Sequence, residues 1–281
     1  MPDHLLRPDA NSSVKLQVTA ESAGWQYLSF NVVELRAGAS HSSNLADQET
    51  AVVPLRGRAT IRVGDIETEL ERTSVFEQMP RVAYAPPGTP VEVVAADDGF
   101  EFSIGSAPAE GLHPARIFEP AEMKSEVRGG GAALRQVNHV LAPPIPAERL
   151  ILYEVYVPRG SWSGWPPHCH DGYDGSPYLE EVYYFRLDPA NGFCMHRNWR
   201  VDEEFDEVLL AEDGDVALVT KGYHSTAAAP GSHMFFLNYL AGELVDGDRV
   251  TPPCFHQEYT WIEEDWEALG WDLPVVKPPA S

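Results

Sequence analysis

The stretch EVYYFRL, residues 181–187, alternates between the two faces of an extended chain and puts Glu181, Tyr183 and Phe185 on one face. Long helical periodicity is absent, and only 118–126 and 262–270 are predicted to be helical. Many short strands between Gly and Pro turns predict an all-β fold, either a sandwich or a barrel. Similar runs, rich in β-branched and aromatic residues, occur at 14–19, 27–36, 59–64, 91–95, 151–157, 215–220 and 233–240.

The chain has 281 residues, enough for one large domain or two of medium size. Strand-like runs stop near 105 and resume near 134, and a run of three glycines, 129–131, lies between them. We interpret 106–133 as a connection and assign 1–120 to an N-terminal domain and 134–281 to a C-terminal domain. One continuous barrel with a long loop is the alternative. The Pro-rich tail from residue 271 is predicted to extend over the surface.

The composition is strongly acidic: Lys and Arg total 20 and Asp and Glu total 43, a formal net charge of −23. Such a surface repels phosphates, so we expect no nucleic acid and no membrane as partner. No run approaches the roughly 20 apolar residues of a membrane span, and the first ten residues lack the apolar region of a signal peptide.

The three cysteines, Cys169, Cys194 and Cys254, are too few for a disulfide framework and form no CxxC motif. A reducing compartment, the cytoplasm, is therefore expected. Assembly into a homo-oligomer is left open by the sequence.

The strongest local signal is PPHCH, residues 166–170. Side chains two apart on a strand share a face, so His168 and His170 can point to one centre. Glu181 is the first residue of the predicted strand EVYYFR, and His224 follows a predicted strand and a Gly-containing turn. Three imidazoles and one carboxylate predict a site for a divalent transition metal.

Alternatives to this ligand set remain at the level of sequence. The two histidines of the HxH pair would otherwise be ordinary loop residues. Glu180 competes with Glu181 as the ligand, because a shift of one residue reverses the face. Cys169 is expected to face away from the metal, although a role as ligand is the other reading.

The HxH pair, the strand-initial glutamate and the pattern Gly-x-x-x-x-x-Thr-x-Gly-x-His, residues 214–224, resemble the two cupin motifs. Departures are the longer gap between His170 and Glu181, Thr220 in place of a common proline, and one residue fewer before His224. With LEEVYYFRLDPANGF, DEVLLAEDGDVALVTKGYH and FFLNYLAG, these features resemble the 5-deoxyglucuronate isomerase family of myo-inositol catabolism. That family is close to the 4-deoxy-L-threo-5-hexosulose-uronate ketol-isomerases.

The resemblance covers about 134–258 clearly and 15–105 more diffusely. It implies a bicupin, two tandem jelly-roll or double-stranded β-helix domains, and a metal-dependent isomerisation of a small sugar acid, 5-deoxy-D-glucuronate to 5-dehydro-2-deoxy-D-gluconate. It also implies one divalent metal (zinc, manganese, iron or nickel). The ligands that it implies are His168, His170, Glu181 and His224.

The N-terminal half can be read as a decayed copy of the second. His41 and Ser43 lie where the HxH pair would be, Glu49 precedes AVVPLRG as the strand acid should, and Pro90 takes the place of the last histidine. Since Ser43 and Pro90 cannot replace imidazoles, we expect this domain to be cupin-like with a degenerate metal site.

The proposed isomerisation requires a base that removes a proton from C2 of the substrate. Glu207, in the FDEVLL run, is our first choice as the catalytic base. Asp206, Glu154 and Tyr183 are the alternatives, and Glu207 would otherwise be a solvated acid in an acidic loop.

The substrate carboxylate requires a cation or several hydrogen-bond donors. We choose two cations for this role. Lys221 adjoins the His224 turn, and Arg135 lies at the start of the second half, where the two halves are expected to meet. Tyr183 shares the face of Glu181 and is the third substrate-binding residue predicted. Three other readings stay open: a related uronate isomerase, a cupin-type dioxygenase and a non-catalytic sugar-binding module.

Overall fold

The computed structural model of the chain describes residues 3–250 and 252–266, and strands dominate it. Each strand-like run named above overlaps an observed strand and extends beyond it by at most two residues. The nine strands of the first half are β1 Leu5–Leu6, β2 Val14–Val18, β3 Ser29–Leu35, β4 Ser40–Ser43, β5 Gln48–Val63, β6 Ile66–Arg72, β7 Val82–Ala85, β8 Val91–Pro108 and β9 Arg116–Phe118. The eleven strands of the second half are β10 Lys124–Arg128, β11 Arg135–Leu141, β12 Ile151–Val157, β13 Trp162–Cys169, β14 Leu179–Asp188, β15 Cys194–Trp199, β16 Asp206–Ala211, β17 Val216–Val219, β18 Tyr223–Ala228, β19 His233–Gly242 and β20 Cys254–Phe255.

Helices are short in the part that the structure describes. They are α1 Ala20–Ala23 and the 3₁₀ helices Pro120–Glu122, Gly131–Ala133, Tyr173–Gly175, Asp246–Arg249 and Gln257–Glu264. The predicted helix over 118–126 is wrong, because the chain makes one 3₁₀ turn there and then enters β10, which pairs with β11. The second helical stretch, 262–270, and the predicted tail from 271 lie partly and wholly outside the described residues. No helix among the described residues is long and apolar enough to cross a membrane.

The strands form three antiparallel sheets. An eight-stranded sheet has the order β2-β3-β8-β5-β7-β9, with β4 on β8 and β6 on β5. A seven-stranded sheet has the order β1-β17-β14-β19-β12-β11-β10, and a five-stranded sheet the order β16-β15-β18-β13-β20. The fold is therefore all-β, as predicted. Strand β1 pairs with β17, so the first residues described lie in a sheet of the second half. The predicted domain boundaries stay a prediction.

The alternation in residues 181–187 is confirmed by the packing of β14. Tyr183 and Phe185 lie in the core between the seven- and five-stranded sheets. Val182 and Tyr184 lie in a different core, which also contains Phe30 of the first half. Strand β14 is thus buried on both faces: one lines the interior of the second half, and the other is the contact between the halves.

Two buried carboxylates hold the two halves together. Glu180, at the start of β14, accepts hydrogen bonds of 2.7–2.8 Å from the backbone N–H groups of residues 26–28. Glu49, at the start of β5, accepts bonds of 2.6–2.8 Å from the backbone N–H groups of residues 148–150. The Tyr84 hydroxyl donates a further bond to Glu49. We call Glu49 and Glu180 the carboxylate clamp; each of the two accepts hydrogen bonds from the backbone of the other half.

Candidate metal centre

The predicted ligands come from both sheets of the second half. His168 on β13 is directly opposite His224 on β18 in the five-stranded sheet. His170 follows β13, and Glu181 reaches the same place from β14 of the seven-stranded sheet. Gly222 makes the turn into β18 with φ of +84°, and a Cβ there would lie 2.3 Å from the Trp199 carbonyl oxygen. Only glycine fits this close approach without strain.

Three side chains form a compact buried group. One ligand atom from each of His170, Glu181 and His224 lies within 4.8 Å of the others. The His170 Nε2 atom is 2.9 Å from Glu181 Oε2, and His224 Nε2 is 3.3 Å from the same oxygen. His168 borders the group, with its ring centre 4.5 Å from that of His224 and 6.2 Å from that of His170. The structure thus brings three of the four residues that the sequence singled out into one compact group, with the ring of His168 packed against His224.

Hydrogen bonding in the group suits a cation. His170 Nδ1 lies 3.0 Å from the Leu179 carbonyl oxygen, which can only accept, so Nδ1 carries a proton and Nε2 faces Glu181 with its lone pair. Two acceptors at this distance require a proton or a metal between them. Both ring nitrogens of His224 are buried without a hydrogen-bond partner, which is costly unless a ligand binds them. The residues therefore fit a divalent transition metal.

The protonation states agree with this reading. Burial, helped by neighbouring His170, lowers the pKa of His168 to about 3. Burial also holds the pKa of His224 well below its ordinary value. Both rings are therefore neutral near pH 7, the form that binds metal. Burial acts to lower the pKa of His170, but the hydrogen bond and charge of Glu181 outweigh it and raise that pKa. Burial raises the pKa of Glu181 itself, a penalty that a bound cation removes.

A cavity of about 550 Å³ opens beside this group. Its lining includes three of the predicted ligands, His168, His170 and Glu181, together with Arg135 and Tyr183. Apolar side chains form much of the remaining wall, among them Val137, Ile151, Val155, Leu179, Phe236 and Leu240. A concave, largely apolar site with a few polar groups is the usual form of a small-molecule site.

Arg135 is a half-buried cation, and no acidic side chain bonds to it in the part of the chain that the structure describes. Its guanidinium donates to the Ala133 and Trp165 carbonyl oxygens at 3.1 and 3.3 Å. Burial and the nearby positive charge of Arg128 lower the pKa of Arg135 to about 10. A half-buried charge without a counter-ion is unfavourable, so an anion entering the cavity would relieve it.

The structure places two of the predicted site residues, Glu207 and Lys221, outside the cavity lining. Glu207 does not line the cavity: its carboxylate lies 2.8 Å from His4 Nδ1 and accepts a bond from the Asn198 amide at 2.9 Å. Lys221 also lies outside the lining, where it pairs with Glu203 at 2.6 Å and packs over the Phe205 ring. Lys221 is three residues from the predicted ligand His224, but that closeness in sequence does not bring its side chain into the cavity lining.

The alternatives to Glu207 have other partners as well. Glu154 forms a buried ion pair of 2.6 Å with Arg72 of the first half. Asp206 pairs with Arg197 at the surface at 2.7 Å. Of the four candidate bases, Tyr183 is therefore the one that lines the cavity.

Sequence reasoning missed one wall of the cavity. Residues 252–266, which we call the C-terminal cover, return across β13 through the short strand β20. The cover supplies Phe255, Glu263 and Trp266 to the lining, and the Phe255 ring centre is 6.0 Å from that of His168. No periodicity marks so short a strand. Arg128 and Tyr153 were missed too, although the glycines after Arg128 indicated a special backbone.

The strand register shifts the predicted correspondence between the two halves by one residue. Thr50 pairs with Ala85 on β7 and Ser106 on β8, as Glu181 pairs with the corresponding strands β17 and β19. Thr50, not Glu49, therefore occupies the position of Glu181. Glu49 corresponds to Glu180, and its carboxylate is taken up by backbone N–H groups. His41 packs edge-on against Phe102.

Solved structures share this architecture. Oxalate decarboxylase from Lactobacillus farciminis, in a formate complex, matches with a TM-score of 0.62 at 12% identity over 88% of each chain. An IolB-like protein from Salmonella typhimurium LT2 matches with a TM-score of 0.87 at 33% identity, over 93% of this chain and 99% of that one. With its fold and its buried histidine–glutamate cluster, the molecule is a bicupin.

Sequence relatives define it further. The model of the KduI/IolB family matches residues 4–262. The 5-deoxy-glucuronate isomerase of Geobacillus kaustophilus is 38% identical over 274 residues, which cover 94% of this chain and 95% of the relative. The chain belongs to the KduI/IolB family.

Proposed function

We propose that the protein is a metal-dependent aldose–ketose isomerase that converts 5-deoxy-D-glucuronate to 5-dehydro-2-deoxy-D-gluconate in myo-inositol catabolism. The observation that carries this proposal is the buried His170–Glu181–His224 group beside a cavity that also holds the unpaired cation Arg135. Relatives named 5-deoxy-glucuronate isomerase, at 38% identity over most of the chain, support the choice of substrate.

His170, Glu181 and His224, with His168 beside them, would hold one divalent metal. Zinc, manganese, iron and nickel are the metals to be tested. When bound, the metal supplies Lewis-acid polarisation of the substrate carbonyl and hydroxyl oxygens. The neutral histidines and the single carboxylate leave the site with a net positive charge in that state, which favours the oxyanion that develops during the reaction.

The reaction moves the carbonyl from C1 to C2 of the sugar acid. A proton leaves C2 and another is returned to C1, through an enediol, so that no atom is gained or lost. Arg135 is placed to hold the substrate carboxylate, since it is a fixed cation in the lining. Tyr183 lines the cavity from the same face of its strand as Glu181, and we infer that it orients the sugar. The apolar wall excludes water from the enediol.

Glu263 replaces Glu207 as our candidate base. It is the carboxylate in the cavity lining besides the ligand Glu181, and it comes from the 3₁₀ helix of the C-terminal cover. Both Glu263 and its neighbour Glu264 are exposed, but Glu264 does not line the cavity, so the chain supplies its own control.

A proton NMR time course tests the function. Purified protein loaded in turn with each of the four metals is mixed with 5-deoxy-D-glucuronate in D2O. Conversion to the 2-ketone is expected, to be abolished by chelator and to return when metal is added back. Deuterium at C1 would indicate a proton path that exchanges with solvent. If no metal-loaded form converts this substrate, the assignment fails, and related uronates and oxygen uptake are measured next.

Substitutions in the cavity separate binding from proton transfer in the same assay. Arg135→Met removes charged hydrogen bonds to the carboxylate, so we expect KM to rise roughly 10- to 100-fold with little change in kcat. Glu263→Gln is expected to lower kcat by roughly 100-fold or more, the usual contribution of a general base. Glu264→Gln should behave like the unmodified protein. An unchanged KM in Arg135→Met, or a normal kcat in Glu263→Gln, removes that residue from its role.

A further inference from the structure

Cys169 and Cys254 lie directly opposite each other on the antiparallel strands β13 and β20. Residues opposed in this way have Cα atoms roughly 4.5–5.5 Å apart and side chains on one face. A disulfide accepts Cα separations of roughly 4.4–6.8 Å. The backbone therefore already has the geometry that a bridge needs.

This pair lies on the opposite side of β13 from the metal ligands. Cys169 is fully buried beside Trp199 and Tyr223, whereas its neighbours His168 and His170 face the cavity. Cys254 is partly exposed, so an oxidant reaches Cys254 first. The third cysteine, Cys194, is buried in a different core and has no cysteine opposite it.

We propose that Cys169 and Cys254 form a reversible disulfide when the protein meets a peroxide, and that this bond locks the C-terminal cover onto the strand of the metal ligands. Without it, a two-residue strand and the bond from the His256 N–H to the Pro167 carbonyl oxygen attach this edge of the cover to β13. Because the cover forms one wall of the cavity, a covalent link there restrains access to the metal centre.

The chemistry balances with one hydrogen peroxide. The Cys254 sulfur attacks one peroxide oxygen, the O–O bond breaks, and water leaves, which gives a sulfenic acid. The Cys169 sulfur then attacks the Cys254 sulfur, the S–S bond forms, the S–O bond breaks, and a second water leaves. Two thiols are oxidised by two electrons while the peroxide is reduced to two waters. In the reducing compartment predicted for this chain, such a bond would be transient.

Peptide mapping tests the proposal without any substrate, so its failure is distinct from failure of the proposed function. Zinc-loaded protein is treated with hydrogen peroxide, unfolded in iodoacetamide and digested. We expect a peptide pair linked through Cys169 and Cys254, two hydrogens lighter than the separate peptides and released by dithiothreitol. Cys194 should be alkylated as before, and Cys254→Ser should give no linked pair. Over-oxidation of Cys254 without a link, or a link that includes Cys194, overturns the proposal.

Release of zinc to a chelator tests the lock itself. The oxidised protein is expected to lose zinc several-fold more slowly than the reduced protein, and dithiothreitol should restore the faster rate. In Cys254→Ser the two rates should be equal before and after peroxide. Equal rates in oxidised and reduced unmodified protein, with the linked peptide present, would show that the bond does not restrain the cover.

Discussion

Replacing Glu181 with glutamine is expected to remove the metal and the activity together while the fold is retained. Glutamine keeps the size of the side chain but loses the charge that offsets the buried cation, and Glu181 Oε2 is the oxygen shared by His170 and His224. Loss of an outer partner of a metal ligand already costs roughly 10- to 100-fold in affinity or activity, so loss of a ligand should cost about 100-fold or more. Metal stoichiometry by elemental analysis and turnover by NMR measure the effect.

The neighbouring residue provides the control. Glu180→Gln changes an equally buried glutamate whose carboxylate binds backbone N–H groups of residues 26–28 and not the metal group. That variant should bind metal at the normal ratio when folded, and its defect should be in thermal stability. If Glu181→Gln bound metal as tightly as the unmodified protein, or if Glu180→Gln alone lost it, the assignment between these two residues would be reversed.

The second large effect concerns the carboxylate clamp. Glu49→Ala leaves the N–H groups of residues 148–150 without their acceptor, and each buried unpaired group costs roughly 1–3 kcal/mol. We therefore expect a loss of about 3 kcal/mol or more in the free energy of unfolding. At roughly 2–4 °C per kcal/mol, this lowers Tm by about 6 °C or more. Glu180→Ala should show a loss of similar size, because it leaves the N–H groups of residues 26–28 without their acceptor.

Thermal unfolding followed by circular dichroism measures this prediction. Glu77→Ala is the matched control, since Glu77 is exposed and its backbone N–H bonds to the Ser74 carbonyl oxygen of its own half. Its Tm should stay within about 1 °C of that of the unmodified protein, as is usual for surface substitutions. A Tm for Glu49→Ala as high as that of the control would mean that the clamp does not stabilise the contact between the halves.

The alternation of residues along a strand was enough to predict a side chain's role where that role depends on which face of the strand it lies on. Alternation in EVYYFRL placed Tyr183 and Phe185 correctly, and the HxH spacing placed His168 and His170. It was insufficient where the role depends on chain segments that are distant in sequence. The Glu207 carboxylate is hydrogen-bonded to His4, and no local pattern predicts that the start of the chain pairs with β17.

Local sequence pattern revealed neither the C-terminal cover nor the clamp. A strand of two residues has no periodicity, so nothing in 252–266 indicated that it would close the cavity. Glu49 was matched with the wrong glutamate, because a carboxylate that binds metal and one that binds backbone N–H groups look identical in sequence. Only the strand register separates them.

The carboxylate clamp also bears on how this contact between the halves can change in evolution. Apart from the hydroxyls of Tyr84 and Tyr178, its donors are main-chain groups, which every residue except proline provides. Residues 26–28 and 148–150 can therefore drift in sequence without weakening these bonds, whereas Glu49 and Glu180 cannot be exchanged freely. These two carboxylates thus recognise the other half by its backbone, whereas the buried Arg72–Glu154 ion pair depends on a side chain from each half.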